Sequence, residues 1–500
     1  MPSDAATLQA LVRSLSHENE HLKLLVAKLQ RMQFGRRSEV LDAEDTQSSL
    51  FLDGTITPPV TPLPQKSSEE PVRSKPSRRP LPAHLPREVE LHTVDTHHCP
   101  DCGGQLRSIG EDVSEVLEYV PASFKVIRHV RPKLACKGCD KLIQASAPER
   151  PIARGVAGPG LLAQVMVSKY CDHLPLYRQS EIYARDGVEL PRSTLADWVG
   201  ASSQLLSPLV EALRRHTLAG QTLHADDTPV PVLSPGKGRT KTGRLWTYVR
   251  DERPAKGEAA PSVWFAYSPD RKGEHPQRHL ASYRGAIHAD GYAGFNRLFE
   301  TGRRIEVACW AHVRRKFYEI HQAQASPVAA TALDYIRQLY RVESAIRGKP
   351  PDERKSTRRS RDGPILDELF QWLQSTLAQV SRKSAVAEAI RYALTRWTAL
   401  IRYRDDGCLE IDNNAAERAL RAVALGRKNY LFVGSDKGGD RAAALYSLIG
   451  TARLNGLDPL AYLRDVLSCI ATHPINRIGE LLPWNLMHDR NSKIIDRAVA

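Results

Sequence analysis

The chain has 500 residues and a mass of 55.7 kDa, enough for roughly three domains of about 150 residues each. A composition of 41% hydrophobic and 26% charged residues supports a packed core and excludes wholesale disorder. No run of about 18 apolar residues offers a membrane span, and the N-terminus lacks the basic-then-apolar pattern of a secretion signal. Lys and Arg number 71 against 57 Asp and Glu, a net charge of +14 that points to a polyanionic partner, most commonly nucleic acid.

The first element is a heptad seam of Leu8, Leu11, Leu15, Leu22, Leu25, Leu29 and Met32, broken only by Glu18 in a core position. It spans about 37 Å at 1.5 Å per residue and predicts a leucine-zipper-like coiled coil over residues 1–40 that joins copies of the chain. A helix packed on its own protein is the alternative. Residues 41–95 are rich in Pro, Ser, Thr and charge, bury too little to offset their ordering entropy, and read as a flexible linker.

Cys99-Pro100-Asp101-Cys102 and Cys136-Lys137-Gly138-Cys139 follow. Two C-x-x-C pairs, each turned by Pro or Gly, place four thiolates tetrahedrally around one Zn2+, and a site with no open position is structural. Residues 96–148 therefore read as a zinc-binding module, with strands expected over Val116 to Val130. From 155 to 215 the chain is helical. Leu176 to Ala184, the turn Asp186-Gly187, and a helix from Leu195 capped by Ser193-Thr194 fit a helix-turn-helix DNA reader, with Arg192, Ser193 and Thr194 facing the groove.

The residues with chemical potential lie in 216–460. Thr222 to Leu233 reads as a strand bearing Asp226 and Asp227. Further strands are expected at Gly243–Val249, Ser262–Tyr267, Arg284–Tyr292 and Arg304–Trp310, the last running into the basic helix of His312, Arg314, Arg315 and Lys316. Three early strands, a crossover and more strands are the order of an RNase H-like α/β core, in which two aspartates occupy adjacent strand ends. A third acid is offered by Asp412-Asn413-Asn414-Ala415-Ala416-Glu417, an Asx-type cap and a helix that sets Asn413, Glu417 and Arg421 on one face. Phosphodiester cleavage explains why three carboxylates would gather. Two Mg2+ (or Mn2+) ions about 3.5–4 Å apart prefer oxygen ligands and serve both the attacking and the leaving oxygen. Asp226 would bridge both ions, with Asp290 and Glu417 completing one site each; strand alternation keeps Asp226 and Asp227 from sharing a site.

These residues resemble the IS-sixty-six-type insertion-sequence transposases, a bacterial group with a D-D-E core. The resemblance covers nearly the whole chain in the family's order. It rests on Phe34-Gly35-Arg36-Arg37-Ser38-Glu39, the C-x-x-C region, His224-Ala225-Asp226-Asp227-Thr228-Pro229, Asp290-Gly291-Tyr292-Ala293-Gly294, Cys309 to Phe317, Asp412 to Arg418, and Leu481-Leu482-Pro483-Trp484-Asn485. The family's first motif reads D-E-T, so Asp227 stands where Glu is usual and Asp226 is the expected catalytic acid.

The resemblance implies an RNase H-like core with a helical insertion at about 320–405 and a C-terminal tail over 461–500. It implies a transposase that cleaves insertion-sequence ends and transfers the 3′-hydroxyl into target DNA. It also implies two small accessory proteins and a place in the bacterial cytoplasm, at the nucleoid. Arg418, Arg421, Arg427 and Lys428, together with the His312 cluster, would hold the DNA strand. The basic run Arg354 to Arg361 is expected as a loop that is either solvated or laid against phosphate. A catalytically inactive DNA-binding regulator derived from a transposase is the alternative function.

Overall fold

The structure, a computed structural model, describes residues 149–486 apart from 154, 235, 237 and 301, and before them 133–135, 142–144 and a few isolated positions. The chain divides into two compact units, Gly54–Val130 and the remainder; of the first, only Phe124 is among the described residues. Cys99, Cys102, Cys136, Cys139 and the strands expected over 116–130 lie outside them. Of the heptad seam, Leu15 and Leu22 are helical and more than half exposed. Strands β1 (Lys133–Ala135) and β2 (Leu142–Gln144) pair antiparallel and bracket Cys136 and Cys139 in the sequence.

Four helices come next: α1 (Pro159–Tyr170), α2 (Leu176–Arg185), α3 (Arg192–Leu205) and α4 (Ser207–Leu218). The turn between α2 and α3 places Gly187 at φ +79°, the left-handed region that glycine enters without strain. Ser193 and Thr194 do not cap α3. The helix starts one residue earlier, after Pro191 at φ −58°, and no side chain accepts its first N–H groups. Proline has already fixed the entry angle, which leaves both hydroxyl residues inside the first turn.

A five-stranded sheet follows, built from β3 (Thr222–Leu233), β4 (Thr240–Arg250), β5 (Ser262–Ser268), β6 (Gly285–Ala289) and β7 (Arg304–Ala308) in the order β5-β4-β3-β6-β7. β3, β4 and β5 are antiparallel, whereas β6 and β7 run parallel to β3. Such a sheet is covered on both sides. One face buries Leu223, Ala225, Trp246 and Tyr248 against Phe295 and Leu298. The other buries Val230, Val232, Leu245 and Val249 against α1–α4 and the later helices.

After β7 the chain forms a helical layer with its own core: α5 (Trp310–Gln324), α6 (Pro327–Ile346), α7 (Pro351–Thr357), α8 (Gly363–Gln379) and α9 (Ala385–Thr395). The basic run 354–361 is not a loop. It is helical, with a π-helical stretch at Arg358–Asp362 joining α7 to α8, and Arg354 and Arg358 are fully buried. Arg358 pairs with Glu343 through two nitrogens at 2.7 Å and donates to the carbonyls of Tyr403, Asp406 and Leu409. Arg354 holds the Gly407 carbonyl and the Glu410 carboxylate. Acceptors for both terminal nitrogens of Arg354 and for all three nitrogens of Arg358 offset much of the cost of burying these charges. Helix α10 (Asn414–Asn429) then packs along β3. Finally α11 (Asp436–Leu454) and α12 (Pro459–Cys469) join the core beneath β5. No described helix is long and apolar enough to cross a membrane.

Candidate active site

Parallel pairing of β3 with β6 sets Leu223 beside Ile287 and His224 beside His288. Asp226 stands two residues further along β3, on the face of His224, and Asp290 lies just past the end of β6, close enough for its charge to act on Asp226. Beneath them the rings of His224 and His288 stack with centroids 4.2 Å apart. Both are buried, which lowers their pKa values to about 4 and about 3 and leaves them neutral near pH 7. His224 is thus a packed neighbour of the acids.

Glu417 arrives from the first turn of α10. Asn413, fully buried before that turn, ties the helix to β3: its Nδ2 donates to the Ala225 carbonyl at 2.8 Å, and its Oδ1 accepts from His224 Nδ1 at 3.1 Å. The cap itself is made by Asp412, whose carboxylate accepts from the Asn414 N–H and from Tyr340. Asn413 makes no side-chain cap. The Asp290 turn is held in the same manner. Tyr292 N–H donates to the Asp290 carboxylate, Tyr392 to the Asp290 carbonyl and Arg396 to the Gly291 carbonyl. Gly291 sits at φ +80° with Arg396 where a Cβ would stand.

Asp226 lies under the field of the other acids. Burial first, and then the charges of Asp290 and Glu417, push its carboxyl up to about 8, against a hydrogen bond from the Asp227 N–H. Glu417 Oε1 is buried and accepts no hydrogen bond, with His312 Nε2 at 3.6 Å and Arg315 at 3.3 Å from the other oxygen. A buried carboxylate oxygen with no protein donor, beside a carboxyl whose pKa is raised by burial and by other acids, is a donor set that fits a hard divalent metal. The three acids are not a single-ion chelate. Among the described residues, the ligand atoms found within 4.8 Å of one another are those of Asp270, Glu274 and His275. Two ions about 3.5–4 Å apart spread their outer ligands to about 8 Å, which suits a wider arrangement.

Asp227 points the other way. Its carboxylate is 1% exposed and paired with Arg244 and Arg271, each at 2.9 Å. Arg271 reaches on to 3.9 Å from Asp290 and lies over the Tyr292 ring.

The expected DNA contacts separate into two groups. Arg192, Ser193, Arg421 and Lys428 are exposed, Thr194 is half-buried at the start of α3, and Arg315 and His312 face Glu417. Lys316 lies 3.6 Å from Glu388 and over the Tyr392 ring. The others turn inward. Arg314 is buried, with its guanidinium over Tyr318. Arg427 braces α10 by donating to the Pro229 carbonyl. Arg418 lies in the field of Asp412, Asp251 and Glu410 rather than beside the three acids. Sequence reasoning missed Tyr340, Tyr392, Arg396 and Arg271, and it named Asn413 and the Arg354–Arg361 run in other roles, a helix cap and a loop. Only the repeated Asx residues at 412–414 offered a local signal for any of them.

Four family models match the chain. Residues 154–441 match the transposase IS66 family, and 96–140 the zinc-finger binding domain of transposase IS66. Residues 447–484 match the IS66 C-terminal element, and 21–89 a model described as transposase C of IS166 homeodomain. Three uncharacterized proteins of Sinorhizobium fredii are similar over most of their length. These are y4hP at 40% identity (93% of this chain, 88% of the relative), y4jD at 38% (98% of each) and y4qI at 38% (97% and 93%). The family models and these alignments agree: the chain belongs to the IS66 family of transposases.

Proposed function

We propose that this transposase carries out metal-dependent cleavage at insertion-sequence ends and transfers the resulting 3′-hydroxyl into target DNA. The observation that supports this reading is the meeting of three acids: β3 and β6 pair in parallel up to His224 and His288, two residues short of Asp226 and Asp290, and the charges of Asp290 and Glu417 both raise the Asp226 pKa. The strand order, with the three antiparallel strands first and two parallel ones after, supports an RNase H-like core.

Two Mg2+ or Mn2+ ions held by Asp226, Asp290 and Glu417 would activate the attacking oxygen and offset charge on the leaving one. The protein's own residues do the rest. Asp226, whose carboxyl is held toward its protonated form, would release that proton to serve as a ligand. Asn413 and His224 fix the distance between α10 and β3. Arg315 offsets the Glu417 charge and presents a cation where a phosphate enters, while burial holds His312, 3.6 Å from Glu417, toward its neutral form. One phosphodiester is exchanged for another, so strand transfer needs neither an energy source nor a covalent protein–DNA link.

The four cysteines Cys99, Cys102, Cys136 and Cys139 are the proposed ligands of one structural Zn2+, in the region that matches the family's zinc finger. The exposed start of α3, with Arg192, Ser193 and Thr194, is the proposed end-reading element. The N-terminal seam joins copies of the chain. Two small accessory proteins assist it, and it works at the bacterial nucleoid.

A duplex carrying the element's end, incubated with plasmid target, tests the reading. The wild type should give joined product, and Asp226→Asn, Asp290→Asn and Glu417→Gln should bind the duplex without cutting it. Cleavage without joining would leave a nuclease. Binding alone by the wild type would leave the regulator.

A further inference from the structure

We infer that the exposed Leu431–Phe432 step is an apolar wedge that unstacks the transposon-end duplex a short distance from the cleaved bond. The inference rests on the cleavage reading above and assigns that substrate a shape.

Helix α10 leads from the three acids to the wedge. At 100° per residue, positions 417, 421, 424 and 428 fall on one side of it, and Arg421 and Lys428 are exposed there. Past the helix end the chain is firmly held. Val433 N–H donates to the Pro231 carbonyl at 2.8 Å, Leu233 N–H donates to the Val433 carbonyl at 2.9 Å, and the Tyr430 hydroxyl meets that of Tyr446 at 2.6 Å. On this braced segment Leu431 is 73% exposed and Phe432 45% exposed.

Two large apolar side chains held out in water by a rigid support mark a surface that meets something. The surroundings choose the partner. Lys428 and Lys437 flank the step in sequence and are exposed, while of the acids that follow it Asp436 is already paired with Lys241 at 2.6 Å and Asp440 is exposed one helical turn further on. Cations around an apolar tip suit duplex DNA, which offers phosphates to the one and a base step to the other. From Glu417 to Lys428 is about 16 Å along the helix, or about 5 base pairs at 3.4 Å each. The wedge should therefore enter about 5–7 base pairs from the cleaved phosphate.

The test uses the full chain and the element's terminal duplex with 2-aminopurine at successive positions. The wild type should raise fluorescence several-fold at positions about 5–7 from the cleaved bond and not beyond. Leu431→Ser/Phe432→Ser, with an unchanged melting temperature, should abolish that rise and slow duplex cleavage about tenfold; a substrate already mismatched at those positions should restore the rate. Lys428→Gln should lower the salt dependence of binding by about one phosphate contact. A flat fluorescence profile for the wild type overturns the wedge, as does a serine variant with wild-type enhancement. Loss of self-association in that variant with the enhancement intact would make the step a contact between protein copies and also overturn it. Failure of the wild type to cut would sink the cleavage reading, while the fluorescence still decides the wedge.

Discussion

Asp226 and Asp227 are adjacent on β3, yet the two faces of that strand treat them in opposite ways. On one face burial and the charges of Asp290 and Glu417 push the Asp226 carboxyl up to about 8, against one hydrogen bond from the Asp227 N–H. On the other, Asp227 is enclosed by two arginines and balanced where it stands. The first face gathers acids with no basic partner for Asp226, the donor set that the proposed divalent ions would use. The second is complete as folded. The comparison teaches that buried charge marks a reactive place only where its partner is withheld; where the partner is present it marks structure.

Substitution can break this contrast. Asp226→Asn should abolish end cleavage, by about a thousandfold or more, while the protein melts no lower than the wild type. Asp227→Asn should do the reverse. It leaves Arg244 and Arg271 without their shared anion and should cost about 3 kcal/mol in denaturant titrations, a value held down by the partial exposure of Arg271. Its cleavage loss should follow from instability and the displacement of Arg271 rather than from the chemistry.

The pH dependence sharpens the same point. Between about pH 4 and 8 the folded protein retains a proton on Asp226 that the unfolded chain has released, so stability falls as pH rises through that window. The slope contributed by this one group is at most about 1.4 kcal/mol per pH unit. Melting temperatures in chelator should show a decline that Asp226→Asn flattens, and Mg2+ should raise the melting temperature more at pH 8 than at pH 5.5. Asn413→Ala should slow cleavage by about 10- to 100-fold and leave the Ala225 carbonyl unsatisfied, with duplex binding intact. The smallest effect is expected for Tyr392→Phe, which removes one hydrogen bond to the Asp290 carbonyl and should cost about 1 kcal/mol and a few-fold in rate.

The sheet and its acids were legible because their signals are local. The expected strand from Thr222 to Leu233 coincides with β3, and alternation alone separates Asp226 from Asp227. Glu417 stood out through the Asx residues before its helix. The run from Arg354 to Arg361 misled because a cluster of arginines resembles a solvated surface. Its partners Glu343, Glu410 and the carbonyls of 403–409 are distant in sequence, and no periodicity announces them. The inward turn of Arg314 and the bracing role of Arg427 were hidden for the same reason: a basic residue carries no local sign of which acceptor will claim it.

The helical layer between β7 and α10 does more than interrupt the core. Tyr392 and Arg396 hold the main chain at Asp290 and Gly291, Tyr340 holds Asp412, and Arg354 and Arg358 shape the approach to Glu410. Most of these grips fall on peptide carbonyls, which every residue type supplies. The layer therefore works as a jig that sets the spacing between two sequence-distant motifs while leaving much of the gripped chain free to vary. An engineer who trimmed it to make a smaller enzyme would keep all three acids and lose their alignment.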